Sequence, residues 1–334
     1  MSMTAPRVNA APHFLIPVEA ELRRVEEVLH AELSSPVRTA ASASSHILDA
    51  GGKRLRPSLV ALSAHACQRS FDLDRLVKVA ASAELIHMAT LIHDDVVDGA
   101  EFRRGKLTAN SFWGNQVSVL TGDYMLAKAF SLLAPESGTR IAQTLSDATI
   151  AMAEGEIAQI ESRGDTQVSF AFYLSIIRDK TAEFMSACCR IGAIIASGSQ
   201  SEEAAFADYG LELGLAFQIT DDLLDLIGDP AQTGKPVGGD LREGKVTMPI
   251  ILTLERASQS ERAALENIIQ ADAVSSEEVG FVCKLAESTG AIEDARSAAA
   301  DYIERAVEHL QTLPASEARD SLEELAWHIL RRER

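Results

Sequence analysis

A chain of 334 residues with 49 acidic and 31 basic side chains carries a formal charge of −18, spread over most of its length. That balance argues against a nucleic-acid surface and obliges any anionic substrate to meet a local cationic patch or a metal ion. With 46% apolar but only 5% aromatic residues, the composition favours packed helices over sheet, so we expect an all-α fold in a single domain over 15–334, behind a flexible segment at 1–14.

Helical periodicity predicts helices at 17–33, 36–49, 56–69 and 73–97, with Pro17 and Pro57 suited to first turns. Further helices are predicted at 115–133, 139–161, 168–197, 202–227, 245–257, 259–271, 276–288, 290–312 and 316–331. No uninterrupted run of eighteen apolar residues and no leader-like N-terminal pattern occur, so no transmembrane segment is expected, while peripheral membrane contact stays open. Cys67, Cys188, Cys189 and Cys283 lack CxxC spacing and read as reduced thiols, which points to a cytoplasmic location. Three Gly-rich connections that carry Lys or Arg stand out at 50–55, 98–107 and 228–244. The third is long for a compact domain and is expected to move as a lid.

The first connection leads through Lys53, Arg54 and Arg56 into a helix N-terminus, where side-chain charge and backbone N–H groups both favour an anion. The apolar helix 73–97 ends in Asp94, Asp95 and Asp98. At about 100° per residue, Asp94 and Asp98 share a face, and His87 lies two turns earlier on nearly the same face. Crowded carboxylates on a core helix suppress one another's ionisation, and a divalent cation resolves that conflict. One such motif is equally well explained as a solvated helix end. A second copy, Asp221, Asp222 and Asp225 at the end of helix 202–227, changes that balance. If the two ends face each other, their all-oxygen donors suit Mg²⁺ and not zinc. Arg103 and Arg104 follow the first motif closely enough for guanidinium groups to meet a metal-bound phosphate. A rival reading pairs Glu27-x-x-His30 with Glu84-x-x-His87 as a di-iron carboxylate bundle, but it leaves the basic clusters and both aspartate motifs unexplained.

GGKRLRP, LIHDDVVD, RRG, Lys180-Thr181, FQITDDLLD and GKPVGGDLREGK, in this order, resemble the trans-isoprenyl diphosphate synthase family over about residues 15–330, most like its longer-chain, octaprenyl-type bacterial members. The resemblance implies an isoprenoid-synthase bundle of long, mostly antiparallel helices around a central cavity. It also implies an all-trans polyprenyl diphosphate synthase that condenses isopentenyl diphosphate onto geranyl, farnesyl or longer allylic diphosphates, for quinone side chains or related isoprenoids. By that resemblance Lys53, Arg56, His87 and Arg104 bind isopentenyl diphosphate, and Arg103, Lys180, Thr181, Gln218, Lys235 and Lys245 hold the allylic side. Asp94, Asp98, Asp221 and Asp225 would hold two or three Mg²⁺ ions, with Asp95 and Asp222 assisting and Asp240 positioning the lysines. Arg103, Lys180 and Lys235 join the six aspartates in the catalytic set. Ala89 and Thr90 would gauge the tail, and being small they imply a product of about thirty to fifty carbons. A homodimer is implied as well.

Overall fold

The structure is a computed structural model that describes residues 12–103, 105–135, 138–228 and 237–331. A 3₁₀ turn, His13–Val18, leads into α1 (Glu19–Glu32), α2 (Arg38–Asp49), α3 (Leu55–Ala66) and α4 (Leu73–Val97). After a two-residue antiparallel hairpin (Phe102–Arg103 with Lys106–Leu107) come α5 (Ala109–Leu133), α6 (Gly138–Glu161) and α7 (Phe170–Ile177). A π turn, Arg178–Ala182, joins α7 to α8 (Glu183–Ile195), and α9 (Gln200–Ile227) follows. The chain closes with α10 (Gly239–Arg242), α11 (Met248–Arg256), α12 (Gln259–Ile269), α13 (Ser276–Ser288), α14 (Ala291–Gln311) and α15 (Glu317–Leu330). The fold is all-α, as expected from composition.

Cap chemistry explains where several helices begin. Asp72 accepts from the amides of Asp74 and Arg75 to start α4, and Ser199, Ser258 and Ser275 each form a capping box with the glutamate three residues on. The predicted 115–133 is the rod of α5 beyond Gly114, whose φ of 79° breaks the helix. The predicted 168–197 is interrupted by the π turn, and α10 lies inside the predicted 228–244 connection. Residues 229–236 of that connection, and the lid reading with them, lie outside the described residues, as do 1–11 of the N-terminal segment. Phe14 packs into the core.

Two apolar cores share two helices. The larger gathers α1 to α6, α8 and α15, and the smaller gathers α7 and α10 to α13, while α9 and α14 contribute to both. The C-terminal half of α9, with the second acidic motif, belongs to the smaller core. Helix α4 is long and apolar enough to cross a bilayer, yet 72% of its most apolar window is buried in the bundle. Its apolar residues cover the whole circumference because neighbours pack around it. The π turn is gripped by two glycines: a Cβ on Gly155 of α6 would lie 2.7 Å from Lys180 N, and one on Gly214 of α9 would lie 2.4 Å from Ala182 Cα. Small residues there let three backbones converge at the level of the acidic motifs.

Candidate active site

At the end of α4 each aspartate meets a cation. Arg103 Nε donates to the buried Asp95 at 2.7 Å. Arg163 Nη2 donates to Asp98 Oδ1 at 2.6 Å, with Lys245 Nζ 3.6 Å from the other oxygen. Burial lifts the Asp94 carboxyl to about 6; Lys180 and Arg103 oppose that rise, while Glu156 and Asp98 add to it. Arg103 is carried by the hairpin, which is anchored when Lys106 Nζ donates to the Asp49 carbonyl at 2.7 Å and Thr108 N to Glu101 O at 3.0 Å. Arg104 lies outside the described residues.

The end of α9 is held differently. Asp222 accepts from Tyr173 OH at 2.6 Å and from Gln218 Nε2 at 2.8 Å. Burial lifts its carboxyl to about 7 against those two hydrogen bonds, with Asp221 and Asp225 adding to the rise. Asp225 accepts from the backbone of Gly239 at 3.2 Å and Asp240 at 3.0 Å, so the start of α10 is docked on this motif. Asp221 is half-buried. Burial, with Asp225 and Asp222 nearby, pushes the Asp240 carboxyl well above the usual range.

Two elements join the motifs. Within the π turn, Lys180 pairs with Glu156 and donates to Gln159 Oε1 at 2.7 Å, beside Asp94. Its neighbour Thr181 donates to Gln218 Oε1 at 2.9 Å and so reaches the Asp222 network. Lys245, only 10% exposed, faces Asp98 of the first motif and is held in its charged form, against burial, by Asp240, Glu243 and Asp98. The two acidic helix ends therefore confront one shared region. Lys235 lies outside the described residues.

Beside the first motif lies a small pocket of about 40 Å³ whose walls include His46, Arg54, Glu84, His87, Asp95 and Arg103. Arg54 does not follow the sequence grouping with Lys53 and Arg56. Its left-handed backbone (φ 48°) turns the guanidinium inward, where it pairs with Glu26 and donates to Glu84 Oε1 at 3.1 Å and Leu48 O at 3.4 Å. Its charge is thus committed within the fold. Lys53 is exposed and Arg56 half-buried at the entrance to α3. Ala89 is fully buried in the larger core, while the half-buried Thr90 donates its hydroxyl to the His87 carbonyl at 2.8 Å.

The di-iron reading does not survive this geometry: Glu27 and His30 are exposed on α1, while Glu84 is buried against Arg54. Among the described residues, no three His, Cys, Asp or Glu side chains converge closely enough to enclose an ion by themselves. Single carboxylates suit Mg²⁺, which keeps several waters and completes its shell with substrate phosphate oxygens. The all-oxygen donors at the two helix ends fit that ion. Sequence reasoning missed Glu156, Gln159, Arg163 and Tyr173. The first two lie one turn apart on α6, a spacing that could have flagged them; the others left no signal.

Comparison with known proteins agrees with the helical architecture. The polyprenyl synthetase family model matches residues 37–286. The chain is 37% identical over 313 residues to heptaprenyl diphosphate synthase component 2 of Geobacillus stearothermophilus, covering 94% of this chain and 96% of that protein. It is also 37% identical over 295 residues to a short chain isoprenyl diphosphate synthase of Methanothermobacter thermautotrophicus, covering 87% and 90%. Overall identity therefore does not distinguish product lengths. A crystal structure of a polyprenyl synthase from Caulobacter crescentus, complexed with calcium and isoprenyl diphosphate, matches with a TM-score of 0.92 at 37% identity, covering 96% of this chain and 97% of that one.

Proposed function

The chain belongs to the polyprenyl synthetase family and is a prenyltransferase, and from that premise we propose that it condenses isopentenyl diphosphate repeatedly onto an allylic diphosphate to give an all-trans polyprenyl diphosphate of about thirty to fifty carbons. The observation that carries this reading is Lys245, which faces Asp98 of the first acidic motif while Asp240, docked on the second, supports its charge. A single diphosphate between the helix ends would meet both motifs and the cations Arg103, Lys180, Lys235 and Lys245. Lys53, Arg56, His87 and Arg104 hold isopentenyl diphosphate, a role supported for His87 by its place in the wall of the pocket beside Asp95 and Arg103.

Asp94, Asp98, Asp221 and Asp225 would hold Mg²⁺, which supplies charge neutralisation at the departing diphosphate; the calcium in the Caulobacter crescentus relative supports an oxygen-ligated cation. Arg103, Lys180 and Lys245 take up negative charge as the allylic C–O bond breaks. Thr181 and Gln218 fix the orientation of that side through Asp222 and Tyr173. The isopentenyl double bond then attacks the allylic carbon, and the proton released goes to the departed diphosphate, so no protein nucleophile is used. Apolar walls exclude water that would capture the cation.

Small side chains at Ala89 and Thr90 support a longer tail, and the heptaprenyl relative agrees in its name. The exposed apolar residues Val119, Leu120 and Phe130 on α5 support a homodimer, and four free cysteines support a cytoplasmic location. The test is the purified chain alone with Mg²⁺, isopentenyl diphosphate and geranyl or farnesyl diphosphate. We expect turnover to products of about thirty to fifty carbons, and shorter ones from Ala89→Phe. No elongation by the correctly folded chain would overturn the reading.

A further inference from the structure

Asp98 occupies a crowded corner. Its side chain is 14% exposed, and both it and Glu156 bear on Asp94. Three carboxylates in so dry a place repel one another unless cations stand among them. Lys245, at 3.6 Å, is beyond hydrogen-bond contact, whereas Arg163 Nη2 donates at 2.6 Å. Arg163 sits just beyond the end of α6, and the next residue, Gly164, donates its N–H to Gly244 O at 2.8 Å, immediately before Lys245. Two docked turns thus aim two cations at one carboxylate.

The Arg163 contact is one-armed. Its Nε–H is buried without an acceptor, and the side chain keeps 27% of its surface exposed. A bidentate pair would use both arms of the guanidinium fork. The contrast with Arg54 is plain, since that side chain is 11% exposed and engages two carboxylates and a carbonyl. Arg54 is built to stay; Arg163 is built to let go.

We propose that Arg163 is a resident counter-ion for Asp98, a positioning residue that orients and neutralises this carboxylate while no divalent cation is there and yields it when one enters. The proposal rests on the reading of Asp98 as a metal ligand. Removing the competitor frees Asp98, so the metal should bind more tightly and the metal-free protein should lose stability.

The test is titration of the metal-free full chain with Mn²⁺, followed by loss of the free-ion electron paramagnetic resonance signal, with thermal melting of each variant as the check on folding. Arg163→Met is expected to tighten Mn²⁺ binding by about tenfold, the size of one charge-assisted hydrogen bond, and to lower the melting temperature of the metal-free protein, with Mn²⁺ restoring it. Arg163→Lys keeps affinity within about twofold of the parent, because the charge remains. In an Asp98→Asn background, Arg163→Met should leave Mn²⁺ affinity unchanged, which isolates the pair. Unchanged or weaker Mn²⁺ binding by Arg163→Met alone overturns the proposal. So does weaker binding of inorganic pyrophosphate with Mn²⁺ affinity intact, which would make Arg163 a diphosphate ligand. If Asp98→Asn by itself leaves Mn²⁺ affinity untouched, the metal reading of Asp98 has failed, and the counter-ion falls with it.

Discussion

The ends of α4 and α9 carry the same aspartate spacing, yet the buried middle carboxylates Asp95 and Asp222 are held in different ways, one by a guanidinium and one by neutral donors. Around α4, three separate connections deliver charged partners: the hairpin brings Arg103, the turn after α6 brings Arg163, and the stretch after α10 brings Lys245. Around α9, Asp222 accepts from neutral donors, a tyrosine hydroxyl and a glutamine amide, and Asp225 accepts from two backbone N–H groups. The difference follows from location. Asp222 is 4% exposed within the smaller core, where a further full charge would itself need desolvating, whereas the end of α4 borders connections that reach solvent. A motif held by cations can trade them for a metal and a diphosphate. A carboxylate held by neutral donors, as Asp222 is, keeps its place throughout.

The largest effect should erase the distinction. Asp94→Ala and Asp221→Ala are each expected to reduce kcat by at least about a hundredfold to a thousandfold, as loss of a charge-stabilising group does elsewhere, measured as isopentenyl incorporation with circular dichroism confirming the fold. Retained turnover in both would break the idea that the two ends act on one substrate. Next comes Lys245→Met, which leaves Asp98 and the buried Asp240 without their shared cation. We expect a loss of about 3 kcal/mol in urea unfolding, typical of breaking a buried pair. Tyr173→Phe removes a neutral donor only, and a smaller loss of about 1–2 kcal/mol is expected. Reversal of that order would mean that the second motif, and not the first, carries the electrostatic strain. Smallest is Thr181→Val, at about 1 kcal/mol, read in the same experiment. Raising salt towards about 1 M should leave both the Lys245→Met and the Tyr173→Phe effects nearly unchanged, because buried pairs are screened far less than exposed ones.

Much of this arrangement was legible in sequence because it depends on local spacing. The limits of α4 and α13 match the predicted 73–97 and 276–288, since Asp72 and Ser275 are caps that a sequence displays. The shared face of Asp94 and Asp98 follows from helical periodicity alone. Arg54 was misgrouped because one left-handed residue reverses the direction of a side chain, and neighbouring basic residues give no warning of it. The ties from Arg163 to Asp98 and from Tyr173 to Asp222 span 65 and 49 residues, and such contacts are settled by how helices pack. The π turn hides inside an unbroken apolar pattern, because an added residue in one turn does not change which residue types a buried helix needs.

That widened turn makes the spacing of 178–182 a constraint of its own. Adjacent residues there work for different masters: Lys180 attends to α6 and Asp94, Thr181 to α9 and Asp222. Deleting one residue would relax the segment into an ordinary helix with better internal hydrogen bonding, and would rotate everything on one side of it by about 100° relative to the other. The shortened chain would be the more regular helix and the poorer catalyst, since no rotation could return both neighbours to their posts.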